Sequence, residues 1–239
     1  MSALLASDGR LRFTFDYIST NAYLAWHRLP ELARRFGLVV EPIPVLFAGL
    51  LEAHGQLGPA EVRPKALWMW RNNLRKAALL GIPLKVPAFH PFNPLLPLRA
   101  SSLPLDPDAR RALIDALFRA VWVEGLHPSE PSVVASAASS VGLPGDEIVA
   151  AAQQPEAKAR LREQTASAVA AGVFGVPTMI VGRELFWGYD DLPFLESHLS
   201  GADPASLAVP ASAFAPMKAS AVRRRFRNGG QRGGAGQPA

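Results

Sequence analysis

The first 45 residues constrain the fold more than any other stretch, because they read as strand, turn, helix, strand. Residues 11–17, Leu-Arg-Phe-Thr-Phe-Asp-Tyr, alternate along their length and are rich in β-forming side chains, which predicts a strand. Ser19-Thr20-Asn21 then supplies three N-capping residue types in a row. From Ala22 to Phe36 the apolar positions Leu24, Trp26, Leu29, Leu32, Ala33 and Phe36 mostly recur every three or four residues, the period of a helix with one buried face. Pro30 inside that pattern is expected to kink or interrupt the helix, since proline has no N–H to donate. Gly37 suits the left-handed position that closes a helix, and Leu38 to Val45 reads as a second strand. The opening is therefore a βαβ unit.

The middle of the chain is helical. Pro64 to Gly81 predicts a helix with proline at its start and glycine at its end. Residues 87–104 are proline-rich and read as irregular, and Asp106-Pro107 opens a helix expected to reach about Gly125. Two shorter helices are expected near 131–141 and 144–153, and a longer one from Pro155 to Ala171. Strand patterns then return. Val176 to Gly182 and Glu184 to Gly188 read as a hairpin turning at Gly182-Arg183, with Asp190 and Asp191 positioned to cap a last helix over 192–199. This order is an α/β, thioredoxin-like fold with a large helical insertion. Residues 1–48 form the first part of the thioredoxin-like domain, 49–170 the inserted helical domain, 171–203 the ββα second part, and 204–239 a basic tail too poor in aliphatic periodicity to build a core.

Charge and composition narrow the function classes. The sequence pI is about 10.0, which alone would suggest a nucleic-acid binder. Of the 25 basic residues, however, six lie in 206–239 with no acidic partner, leaving 19 against 20 acidic side chains in the rest. The basicity belongs to the tail, so nucleic acid is not an expected partner of the fold. There is no cysteine, which excludes disulfides, thiolate metal sites and redox chemistry on the chain's own thiols. The five histidines show no metal-ligand spacing, so no metal site is expected. No apolar run reaches the roughly 18 residues of a membrane span, and the N-terminus lacks a secretory pattern, so a cytoplasmic location is the expectation.

Four groups of residues carry potential chemistry. At the strand-to-helix turn, Ser19 sits where unpaired N–H groups and the positive end of a helix dipole would stabilise an anion, a thiolate included. With no cysteine present the thiol must come from outside, and glutathione is the obvious donor; a plain N-cap is the bland alternative. Gly172-Val173-Phe174-Gly175-Val176-Pro177-Thr178 suits a cis peptide bond at Pro177, which would present the Val176 backbone to a γ-glutamyl-cysteine peptide as an added strand. Lys65, Trp68, Asn72 and Arg75 share one helix face and could hold a carboxylate and stack an aromatic ring, or simply be a solvated face. His90-Pro91-Phe92-Asn93-Pro94 with Arg99 forms a turn-rich loop whose histidine, taken alone, reads more readily as structural.

Phe13-Thr14-Phe15-Asp16-Tyr17-Ile18-Ser19, Ala22-Tyr23-Leu24-Ala25, Pro64 with Trp68, His90-Pro91-Phe92-Asn93-Pro94-Leu95, and Gly172 to Thr178 with Phe186-Trp187-Gly188-Tyr189-Asp190 together resemble the 2-hydroxychromene-2-carboxylate isomerases. These are relatives of kappa-class glutathione transferases and DsbA-type oxidoreductases. The resemblance covers about residues 11–200. It implies a glutathione-dependent isomerase of aromatic acids, acting in aromatic degradation such as that of naphthalene. Glutathione would be the cofactor and a small aromatic carboxylate the substrate, while a homodimer is suggested by analogy alone. It implies that Ser19 activates the glutathione sulfur. Lys65, Val176 beside Pro177, and Asp190 next to Tyr189 would contact glutathione. Trp68, Arg75, Asn93 and Arg99 are the candidate substrate contacts. Thr20 and Asn21 depart from the family's proline and aromatic residue, and Asp191 stands where arginine is common. Two other readings remain open here: a kappa-like glutathione transferase, and a non-catalytic thioredoxin-fold binding module.

Overall fold

The computed structural model describes residues 3–206. Four strands form one mixed sheet in the order β2-β1-β3-β4. The central strand β1 (Arg10–Phe15) pairs in parallel with β2 (Val39–Pro44) and antiparallel with β3 (Thr178–Val181), which turns at Gly182 into β4 (Glu184–Trp187). Apart from Arg10, every residue of β1 is buried, so both sheet faces are covered at this strand. On one side Leu11, Phe13 and Phe15 join the larger core with Trp26 and Leu29 of α1 (Thr20–Arg35). The Phe118 ring meets Phe15, Tyr17, Tyr23 and Trp26 there, in the offset and tilted arrangements aromatic quadrupoles favour. A smaller core unites Ile43, Val45 and Ile180 with Leu50 of α2 (Phe47–His54) and Ala168 of α8 (Pro155–Ala170).

Helix α1 runs through Pro30 without a break, contrary to the expected interruption. Leu29, Leu32 and Ala33 are buried on both sides of the proline, and that burial outweighs one lost hydrogen bond. Gly37, at φ 67°, closes the helix as anticipated. Between β2 and β3 lie α2, α3 (Arg63–Leu80), α4 (Leu95–Ser101), α5 (Pro107–Arg119), α6 (Pro131–Ser140), α7 (Gly145–Gln153) and α8. Helix α4 corrects the irregular reading of 87–104. Its Pro97 is the third helical residue, where a backbone N–H has no partner within the helix, so proline costs little. Asp106 caps α5 by accepting from the Asp108 and Ala109 N–H groups, and a π-turn over Ala120–Glu124 extends the helix to Gly125. The last helix, α9 (Leu192–Leu199), has no side-chain cap from Asp191, whose carboxylate instead accepts the Trp187 N–H. Beyond Pro204–Ser206, the expected basic tail lies outside the described residues.

Candidate active site

Ser19 is the N-cap of α1, with extended backbone at φ −94° and ψ 110°, and its Oγ accepts the Ala22 N–H at 3.2 Å. Its hydroxyl donates to the Val176 carbonyl at 3.3 Å. That is long for an O–H···O bond, so the donor is easily exchanged for a better acceptor. The Val176-Pro177 peptide is cis, as the sequence pattern anticipates. The Ser19–Val176 bond sets the approach to β3 against the tip of α1. A helix N-terminus, a hydroxyl donor and an exchangeable peptide carbonyl thus meet at one point.

The loop ahead of Ser19 is held at four points. Asp16 is fully buried and accepts the Ile18 N–H at 3.1 Å and the Phe47 N–H at 2.9 Å, which ties the turn to the start of α2. Burial pushes the Asp16 carboxyl up to about 7, against the pull of those two N–H donors. The Trp122 indole donates to the Tyr17 carbonyl at 3.1 Å. The Tyr17 hydroxyl lies 2.6 Å from Ser101 Oγ, which already donates to Pro97, so the tyrosine is the donor. His90 donates through Nε2 to the Ile18 carbonyl at 3.0 Å, and burial lowers its pKa. A half-buried imidazole bound to backbone is a positioning group. The helical insertion thereby sets the Ser19 loop through Ser101, Trp122 and His90.

On the far side of the α1 tip, Lys76 of α3 reaches Asp190 Oδ2 at 2.7 Å and Asn21 Oδ1 at 3.4 Å, and lies 5.1 Å from the centre of the Tyr189 ring. The Lys76 side chain is only 10% exposed whereas that of Asp190 is 69% exposed, so the acid presents its free edge to solvent.

Residues 10–200 match the DSBA-like thioredoxin domain. The chain is 35% identical over 189 residues to the 2-hydroxychromene-2-carboxylate isomerase of Sphingobium xenophagum, covering 78% of this chain and 96% of that one. It belongs to the 2-hydroxychromene-2-carboxylate isomerase family. A solved 2-hydroxychromene-2-carboxylate isomerase superposes with a TM-score of 0.75 at 31% identity, covering 80% of this chain and 95% of the other. The cytosolic disulfide reductase DsbM of Pseudomonas aeruginosa, solved with GSH, shares the fold at a TM-score of 0.56 and 21% identity, over 80% of this chain and 99% of its own.

Within this family member, Ser19, Val176, Pro177, Tyr189 and Asp190 gather around the α1 N-terminus. The other candidates lie elsewhere. Trp70 of α3 packs on the His90 ring at 4.9 Å, so it marks the side of α3 that faces the Ser19 loop. Helical residues turn by about 100° each. Lys65, Trp68, Asn72 and Arg75 therefore point within about 40° of the opposite direction. Trp68 is accordingly 58% exposed, and Lys65 and Arg75 are exposed too. The shared face was legible; its side of the molecule was not. Asn93 opens α4, accepting the Leu95 N–H at 3.0 Å. Arg99 lines a separate cavity between α2, α4 and α8. Lys76 and Asp16 escaped sequence reasoning. The i, i+4, i+7, i+11 series from Lys65 contains Lys76, but helix spacing alone cannot choose between that series and the one through Arg75.

Proposed function

We propose that the chain is a glutathione-dependent isomerase of 2-hydroxychromene-2-carboxylate-type aromatic acids. The observation that carries the reading is a serine hydroxyl at a helix N-terminus, bonded to the Val176 carbonyl, in a chain without cysteine. Such a site is built to hold a thiolate that it does not itself supply. The residues suit glutathione in three respects. The Ser19 hydroxyl, released from its long bond to Val176, donates to the sulfur and favours its ionised form, with the α1 dipole adding to the effect. The Val176 carbonyl, so freed, accepts a peptide N–H as an added strand would supply it. Asp190, with one oxygen on Lys76 and the other open, accepts the γ-glutamyl ammonium group.

When bound, glutathione supplies a nucleophilic thiolate whose reversible addition across a conjugated double bond permits rotation about it before elimination restores both partners. The chain's own contribution is to hold that sulfur ionised at Ser19 and to fix the tripeptide at Val176 and Asp190. A cytoplasmic setting, where glutathione stays reduced, accords with the reading.

The test is calorimetric titration with reduced glutathione, paired with turnover of a 2-hydroxychromene-2-carboxylate, for the wild type and Ser19→Ala. Losing one hydrogen bond to a charged group should reduce turnover about 10- to 150-fold. A thermal melt shows whether the variant stays folded, because the same substitution removes a helix cap worth about 0.5–2 kcal/mol. Full activity in folded Ser19→Ala would overturn the role given to the serine. Stable release of a glutathione adduct would instead mark a transferase.

A further inference from the structure

A cavity of about 570 Å³ lies between α2, α4 and α8, and its lining includes none of Ser19, Val176, Pro177, Lys76 or Asp190. Its size falls in the range of small-molecule sites, roughly 300–1,000 Å³. The walls are largely apolar, with Leu46 from the start of α2, Leu95 from α4, and Leu161 and Val169 from α8. Three cations break that pattern. Arg99 enters from α4, while Lys158 and Arg162 stand one turn apart on α8. No lining residue is acidic.

Lys158 and Arg162 are exposed and keep their hydration, whereas Arg99 sits deeper. Arg99 is half-buried, and its Nε is shut off from solvent with no hydrogen-bond partner among the described residues. A nitrogen closed to water is closed to a cavity ligand as well, so it is the terminal N–H groups of Arg99 that line the pocket. Burial, and then the neighbouring Arg162 charge, lowers the pKa of Arg99, so the pocket already disfavours its own cation. The polar group deepest in the wall offers no alternative anchor. The Thr165 hydroxyl donates to the Leu161 carbonyl at 2.8 Å and accepts the Leu46 N–H at 3.0 Å. What remains free for a ligand is cationic at one end and apolar elsewhere.

We propose that this cavity is a binding site for a carboxylic acid with a flat or compact apolar body, its carboxylate held between Arg99 and Arg162 and its body against Leu46, Leu161 and Val169. An arginine fork matches a carboxylate with two parallel donors, and Lys158 adds a point charge at the mouth. Inorganic phosphate would satisfy the cations but leave the apolar wall uncovered, so the site favours the organic acid. The inference does not depend on the reading of Ser19, because glutathione has no part in it.

The experiment is titration of the full-length protein with 2-naphthoate, followed by calorimetry and by chemical-shift mapping. Arg99→Gln and Arg162→Gln should each weaken binding at least tenfold. Ala166→Trp, at an exposed lining position of α8, should fill the cavity and abolish binding. A thermal melt of Ala166→Trp that matches the wild type shows the variant is folded, so loss of binding reports on the cavity alone. Failure of the wild type to bind 2-naphthoate would overturn the proposal. So would binding that survives both Arg162→Gln and Ala166→Trp. Inorganic phosphate binding as tightly as 2-naphthoate would overturn the ligand class assigned to the site.

Discussion

Replacing Asp16 by asparagine should flatten the way stability depends on pH, by an amount the structure sets. The carboxyl is fully buried, and burial raises its pKa from an ordinary 3.8 to about 7. Between those two values the folded chain keeps a proton that the unfolded chain has released. Unfolding free energy therefore falls as pH rises, by up to about 1.4 kcal/mol per pH unit from this group. The contribution is complete below the unfolded value and is lost as pH rises to the folded one. From pH 5 to pH 8 the loss comes to roughly 2–3 kcal/mol. Asparagine does not titrate, so it removes this slope. It also imposes a constant cost of about 1–3 kcal/mol, because its amide can accept from only one of the Ile18 and Phe47 N–H groups and turns a donor toward the other. Urea unfolding of both proteins at pH 5, 6, 7 and 8 gives the difference in stability at each pH, in which all other titrations cancel. That difference should move in favour of the variant by roughly 2–3 kcal/mol across the series. A difference that stays flat would refute the argument that Asp16 carries a buried proton beneath the Ser19 loop.

Two other substitutions test how the site is supported. Trp122→Phe leaves the buried Tyr17 carbonyl without its donor, and urea unfolding should register a loss of about 1–3 kcal/mol, with turnover falling because that carbonyl lies two residues before Ser19. Lys76→Met keeps the packed stem but frees the largely exposed Asp190. Thermal unfolding should change by less than about 1 kcal/mol in equivalent stability, while calorimetry should show glutathione binding several-fold weaker.

The boundaries of α1, α3 and the β3–β4 hairpin were legible because each is marked by local chemistry. Ser19 caps α1, Gly37 and Gly81 close α1 and α3 at positive φ, and Gly182 turns the hairpin. Helices α2 and α4 were not. The first residue of α2 is preceded by Leu46, which offers no side-chain cap, and α4 carries a proline in its first turn. Their formation depends on burial of Leu50 and Leu51 in one and Leu98 and Ala100 in the other, and burial is a property of the assembled fold.

The candidate site divides along the same line. Local pattern is enough to show that a capping serine follows β1, that a proline follows a glycine-rich approach to β3, and that no cysteine is available to either. Each statement concerns neighbours along the chain, where spacing and residue type carry the information. The assembled fold brings Ser19 and Val176, 157 positions apart, into one hydrogen bond, and sets Lys76, about three turns along α3 from Lys65 and on nearly the same side of the helix, against Asp190. It likewise places Arg99 in a pocket with Arg162 whose lining does not include Ser19. Periodicity groups the residues of a helix into faces, but the packing of α3 against the His90 loop sets which face looks inward, and that choice is made by contacts distant in sequence.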